Sequence, residues 1–293
     1  MADNDGNVTS KDFGVGIAPP TAVFPVKGAQ HLDWGMQHRL AAMFDASSGN
    51  TVMLAFDHGY IMGPTSGLER LDLVIPPLAP YVNVLMGTRG AFRTCVPPTV
   101  NKPICLRATY DASVLFDDMS DGGGVAADID NAVALDACAL AVQTFIGAPG
   151  ERRSLELLAR TVDAGQRCGI PVLGVVAVGK DMERSEKFFL LATRLLAENG
   201  ANVVKSYYCD GFERVTAACP VPIVIAGGKK LPEGEALTMA YRAIAEGAHG
   251  VDMGRNIFQA DDPMVMAQAV GKVVHESYTD VRAYEFYLDN KGR

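Results

Sequence analysis

Eight short apolar runs, helical stretches between them and a length of 293 residues together predict a (β/α)8 TIM barrel preceded by an N-terminal extension. The runs are continuous rather than alternating. Strands of that kind are buried on both faces, which describes a parallel sheet. The expected division is an N-terminal arm and helix over 1–45, then the catalytic barrel over 46–293. A doubly wound sheet is the alternative. It would place a Gly-rich turn after its first strand, where this chain carries FDHGY.

Residues 1–30 are rich in Gly, Pro and Asp and read as a flexible arm. LDWGMQHRLAAMFD (32–45) spaces Leu32, Met36, Leu40 and Met43 for one helix face, expected to pack on the body of the fold. The first four strands are expected within TVMLAFDHG (51–59), VNVLMGTRG (82–90), KPICLRA (102–108) and CALAVQTFIG (138–147). A helix over 151–169 has Leu155, Leu158, Val162 and Gly165 on one side and stops at a glycine. The fifth strand is expected in IPVLGVVAVGKD (170–181), followed by a helix from the N-cap Ser185 to the stop at Gly200. ANVVKSYY (201–208) and VPIVIAGGKK (221–230) are the sixth and seventh strands, followed by a helix over 232–247. GVDMGRN (250–256) is the eighth, and a last helix over 261–276 begins with acids and a proline. DGGGVAAD (121–128) follows no strand. It reads as a loop, with a nucleotide-binding role as the minor alternative.

The formal net charge is −8 and no dense Lys/Arg block occurs, which argues against nucleic acid or an anionic membrane as a partner. MADNDGNVTSKDFGVG lacks the basic and apolar regions of a signal peptide, and no apolar run reaches membrane-spanning length. Six scattered cysteines without a CxxC pair suit a reduced, cytoplasmic protein.

Barrel active sites form at the C-terminal strand ends. Those ends supply Asp57 and His58, Thr88 and Arg89, Arg107, Gln143, then Gly179, Lys180 and Asp181, then Lys205, Gly227 and Gly228, and Gly254 and Arg255. Lys205 ends an apolar run, where partial desolvation disfavours the charged amine. A neutral amine there can attack a carbonyl and form a Schiff base, an electron sink for breaking the neighbouring bond. The alternative is a structural lysine paired with Asp57 or another acid. Lys180 looks loop-borne, and Lys229 and Lys230 lie beyond the seventh-strand glycines as phosphate partners or exposed charges. The turns IAGGKK and MGRN stand where barrels commonly bind phosphate, with Gly227, Gly228 and Gly254 open to an anion and Arg255 adding charge. Plain connecting turns are the alternative. Asp57 and His58 are the acid–base candidates, although His58 could instead cap its loop. The five histidines show no ligand spacing, so no metal is expected.

LAFDHGY, VVKSYY, PIVIAGGKK and GVDMGRNIFQ resemble the DhnA/DeoC-like class I aldolase family, from about residue 31 to near the C-terminus. The resemblance implies Lys205 as the Schiff-base lysine, Asp57 and His58 as the acid–base pair, and Gly227, Gly228, Gly254 and Arg255 as the phosphate site. LDWGMQHRL, TVMLAFDHGY, GPTSGLERLD, VGKDM and CPVPIVIAGGKKLP are similar to a branch that transfers an acetyl group. That likeness implies a thiolase acting on a phosphorylated dione in autoinducer-2 processing, part of quorum sensing. It implies coenzyme A as cosubstrate and no bound cofactor. A fructose-bisphosphate-type aldolase is the alternative. Sugar-phosphate aldolases of the family place a tyrosine acid/base at the end of the fifth strand. Here VVAVGKDM puts Val178 near that place, which suits the thiolase. Relatives form rings, often of ten subunits, so the resemblance implies a homo-oligomer of up to a decamer. No motif marks a coenzyme A site.

Overall fold

The computed structural model describes residues 16–18, 24–116, 123–177 and 184–292. These form a closed barrel of eight parallel strands, each within its expected run: β1 (Thr51–Ala55), β2 (Val84–Gly87), β3 (Ile104–Arg107), β4 (Ala139–Thr144), β5 (Val172–Val176), β6 (Val203–Tyr207), β7 (Ile223–Ala226) and β8 (Gly250–Met253). Each strand pairs with its sequence neighbour, and β8 returns to β1 with Thr51 opposite Gly250. The expected (β/α)8 barrel is the observed architecture.

Helices cover the outside and start and stop on the residues the sequence marked. Gly169 takes φ +65° to end the helix Glu151–Cys168. The Ser185 side chain accepts from Phe188 N at the start of Glu186–Glu198, and Asp262 does the same for Val265 N before Pro263–Glu276. A further helix, Asp280–Asn290, follows the expected last one and buries Ala283 and Tyr287. Among the described residues no helix is long and apolar enough to cross a membrane.

The expected loop around 121–128 needs correction in its described part. Gly124–Val125 pairs antiparallel with Thr109–Tyr110 as a two-residue ribbon beyond β3. A Cβ on Gly124 would lie 2.6 Å from the Tyr110 ring, so the glycine lets the ribbon close against that tyrosine.

Side chains along each strand alternate between two cores, as the period of two requires. Val52, Leu54, Leu85, Leu106, Val204 and Ile225 face outward onto the helices. Met53, Ala55, Val84, Met86, Cys105, Ala141, Val175 and Val203 fill the barrel. Leu40, Met43 and Phe44 belong to this inner core together with Val84, Ala139 and Val203, each the first residue of its strand. The helix Trp34–Met43 therefore stops the N-terminal opening of the barrel. It is capped by Asp33, whose carboxylate accepts from Met36 N at 2.9 Å, and Arg39 Nη1 donates to Gly169 O at 3.0 Å just before β5. With its base filled, the barrel offers its polar interior at the opposite face.

Leu40 is fully buried in this stopper. Leu40→Ala is expected to lower unfolding stability by about 2–5 kcal/mol in urea titrations. A loss below about 1 kcal/mol would mean that the helix only rests on the barrel.

Candidate active site

Alternation decides where Lys205 points. Val203 and Lys205 share the inner face of β6, while Val204 faces the helices. The register sets Lys205 between Val175 of β5 and Val224 of β7, both apolar. Lys205 is 9% exposed, and its Nζ lies 2.8 Å from Asp252 Oδ2 and 3.7 Å from Met86 Sδ. Asp252 is 1% exposed on the inner face of β8, between the outward Val251 and Met253. Burial pushes the Asp252 carboxyl above the usual carboxylate range, against the pull of Lys205. A carboxyl pushed toward its protonated form thus touches the Lys205 amine. The sequence leaves the partner of Lys205 open as Asp57 or another acid, and the acid found there is Asp252, inside a run that reads only as apolar.

Asp57 is engaged elsewhere. Its Oδ2 accepts from Arg107 Nε at 2.7 Å and from Arg107 Nη2 at 2.5 Å, and the two side chains are almost fully buried. Burial works to raise the Asp57 carboxyl, but Arg107, His58 and Lys205 outweigh it and draw the pKa down to about 2. Asp57 is therefore an anion at neutral pH. Arg107 Nη1 has no hydrogen-bond partner among the described residues.

His58 stands beside Asp57 at the rim, edge-on to Phe258 with centroids 6.1 Å apart. Its Nδ1 is buried and has no hydrogen-bond partner among the described residues. Burial lowers its pKa below 6.5, with Lys205, Arg255 and Arg107 acting the same way and Asp57 opposing them. The ring is neutral at pH 7. A Cβ on Gly254 would lie 2.7 Å from His58 Cε1, so that glycine makes room for the imidazole.

Tyr60, three residues after Asp57, donates its hydroxyl to Asp111 Oδ2 at 2.5 Å, and its ring lies 5.4 Å from the Arg107 guanidinium. Burial raises the phenol well above its ordinary range. Gln143 Oε1, on β4, is 3.5 Å from the same hydroxyl.

The two glycine turns are tied together by Asn256, which is fully buried. Its Nδ2 donates to Gly227 O at 2.7 Å and its Oδ1 accepts from Leu231 N at 2.8 Å. Gly228 takes φ +67°, which disfavours any side chain. Arg255 Nε is buried and has no hydrogen-bond partner among the described residues. Arg184 stacks over the Tyr207 ring at 4.2 Å, and its Nη1 lies 3.7 Å from where a Gly228 Cβ would be. The turns thus bring together Arg255 and, from the segment before the helix Glu186–Glu198, Arg184.

Asp57, His58, Lys205, Gly254 and Arg255 converge on one mouth, with Gly227 and Gly228 on its β7 rim. Arg107 and Gln143 also join it. Thr88 instead caps the helix Arg89–Cys95, and Arg89 bonds Asn131. Lys230 is committed to Glu233 at 2.8 Å. Val178, Gly179, Lys180 and Asp181 lie outside the described residues. Asp252, Tyr60, Asp111 and Arg184 were missed. An acid at an inward position of an apolar strand was the readable signal for Asp252. Tyr60 comes from the short helix Gly59–Met62 and Asp111 and Arg184 come from loops, and none of them leaves such a mark. Among the described residues no group of three or more His, Cys, Asp or Glu could hold a metal ion.

A profile of the DeoC/LacD family aldolases matches residues 51–260. A 3-hydroxy-5-phosphonooxypentane-2,4-dione thiolase of Salmonella paratyphi A is 53% identical over 293 residues, covering 100% of both chains. Its namesake from Photorhabdus laumondii is 51% identical over 292 residues, covering 99% of this chain and 100% of that one. An archaeal fructose 1,6-bisphosphate aldolase structure superposes with a TM-score of 0.74 at 23% identity, covering 82% of this chain and 99% of its own. A fructose-bisphosphate aldolase from Slackia heliotrinireducens reaches 0.77 at 19% identity, covering 94% and 98%. These two structural likenesses show the fold.

The charges around His58 have a sign that can be measured. Its NMR titration midpoint is expected below 6.5. Asp57→Asn removes the one neighbour that favours the imidazolium and so lowers the midpoint further. Because the folded pKa is depressed, His58 costs stability as pH falls below about 6.5, where the unfolded chain takes up the proton first. A midpoint at or above 6.5 contradicts the buried, cation-flanked ring.

Proposed function

The chain belongs to the DeoC/LacD family of aldolases, and from that premise we propose that it is a coenzyme A-dependent thiolase. It cleaves 3-hydroxy-5-phosphonooxypentane-2,4-dione to acetyl-CoA and dihydroxyacetone phosphate through a Schiff base on Lys205. Identity of 51–53% across essentially the whole chain to thiolases of that name carries the reading. The buried Lys205–Asp252 pair supports the covalent step.

The Gly227–Gly228 and Gly254–Arg255 turns hold the phosphate, with backbone N–H groups and the Arg255 guanidinium as donors. Asp252 takes the ammonium proton of Lys205. The neutral amine adds to the carbonyl next to the phosphate-bearing carbon, and loss of water leaves an iminium. The coenzyme A thiol gives its proton to neutral His58 as its sulfur attacks the acetyl carbonyl, whose π electrons move onto oxygen. When that carbonyl re-forms, the bond to the hydroxyl-bearing carbon breaks and its electron pair flows into the iminium. Acetyl-CoA leaves. The remaining enamine takes a proton from the His58 imidazolium at that carbon, and water releases dihydroxyacetone phosphate and the free lysine. Asp57, held as an anion by Arg107, stabilises the transient imidazolium.

The sequence likeness supports a place in autoinducer-2 processing, with residues 46–293 as the catalytic barrel of a cytoplasmic homo-oligomer. Coenzyme A is a cosubstrate and no cofactor is permanently bound. Aldol cleavage of fructose bisphosphate would pass through the same enamine, so product analysis must separate the two reactions. Incubation with the phosphorylated dione is expected to yield acetyl-CoA and dihydroxyacetone phosphate only when coenzyme A is added. Cleavage of fructose bisphosphate with no acetyl-CoA from the dione would reverse the assignment.

A further inference from the structure

The thiolase reading fixes a direction across the barrel mouth, and the inference below rests on it. The phosphate sits at the β7 and β8 rim, and the iminium carbon is on Lys205 of β6. The acetyl carbonyl lies two carbons farther from the phosphate side. In the closed strand order, β3 stands opposite β7 and β4 opposite β8. The thiol must therefore approach from the β3 and β4 rim.

That rim contains an opening. A cavity of about 210 Å³ is lined by Tyr110, Asp111, Ala112, Phe116, Gly123 and Arg153. It lies between the segment that follows β3 and the first turn of the helix that follows β4. Its wall is shared with the barrel interior: Asp111 accepts the Tyr60 hydroxyl, and the Tyr60 ring covers Arg107. Two aromatic residues flank it, Tyr110 at 50% and Phe116 at 60% exposure, and the neighbouring Leu115 is 92% exposed. The ribbon holds Tyr110 against Gly124, so this wall is in place before any ligand arrives. Arg153 is exposed and takes part in none of the ion pairs among the described residues.

We propose that this cleft receives coenzyme A. The pantetheine arm lies between Tyr110 and Phe116 with its thiol passing Arg107 toward Asp57 and His58, and the nucleotide phosphates meet Arg153. The cavity is smaller than the ~300–1,000 Å³ of a pocket that swallows a whole ligand. It suits a narrow, unbranched arm whose nucleotide stays outside. At the surface of a chain of net charge −8 a local cation helps hold a polyanion, and Arg153, in no ion pair among the described residues, supplies one. The exposed aromatic faces have a use under this assignment, since solvent-facing apolar clusters mark binding surfaces.

Calorimetric titration of the full-length protein with coenzyme A tests the site without requiring turnover. Arg153→Glu is expected to weaken coenzyme A binding by about tenfold or more while leaving pantetheine binding unchanged. Phe116→Ala is expected to weaken both ligands, and neither variant should alter the KM of the dione. Both substitutions are at exposed positions, and circular dichroism checks that the fold is kept. If both variants bind coenzyme A like the unsubstituted protein, the cleft is not the site, whatever reaction the enzyme performs. If the unsubstituted protein forms acetyl-CoA yet the variants change only the KM of the dione, the placement is wrong and the thiolase reading stands. If the unsubstituted protein neither binds coenzyme A nor forms acetyl-CoA, both fall together.

Discussion

The contact between Lys205 and Asp252 at 2.8 Å is the constraint around which the barrel interior is arranged. An ion pair this deep gains little net stability, because removing both charges from water costs as much as their attraction returns. Packing alone would favour two apolar side chains on β6 and β8 at these positions. The pair makes physical sense under the proposed Schiff-base chemistry, which sets a carboxyl biased toward its protonated form against the amine that would react. The stopper formed by the helix Trp34–Met43 fills the far end of the same interior and leaves the polar layer open in one direction.

A second buried pair, Arg107 with Asp57, shares that layer, and the two behave differently. Arg107 cannot give up its proton, so Asp57 is locked as an anion, whereas burial pushes the carboxyl of the other pair, Asp252, up toward its protonated form. His58 stands beside Asp57, and burial and the surrounding cations lower its pKa. The rim then divides by strand number. Glycine turns and arginines occupy the β7 and β8 side, and Arg107, Gln143 and the Tyr60–Asp111 contact occupy the β3 and β4 side. A linear phosphorylated substrate has one sensible orientation in such a mouth.

The barrel was legible because continuous apolar runs and glycine helix stops report burial and backbone geometry directly. Lys205 was legible for the same reason: a charge at the end of an apolar run, placed inward by the period of two. Asp252 obeys that rule equally but escapes it, because the run around it reads as apolar throughout and its height in the barrel is set by the registers with β1 and β7. Tyr60, on a helix too short to show a period, and Asp111, on a loop, meet across 51 positions of sequence. Arg184 gains meaning only when Tyr207 and Gly228 are placed beside it. The ribbon at Gly124–Val125 was hidden by glycines that look like a loop but are needed for close approach to Tyr110.

Borohydride reduction in the presence of dihydroxyacetone phosphate, followed by peptide mass mapping, tests the central claim most directly. A covalent amine formed between enzyme and ligand on Lys205, and on no other lysine, is the result this account predicts. An adduct on Lys180, Lys229 or Lys230, or no adduct at all, would contradict it.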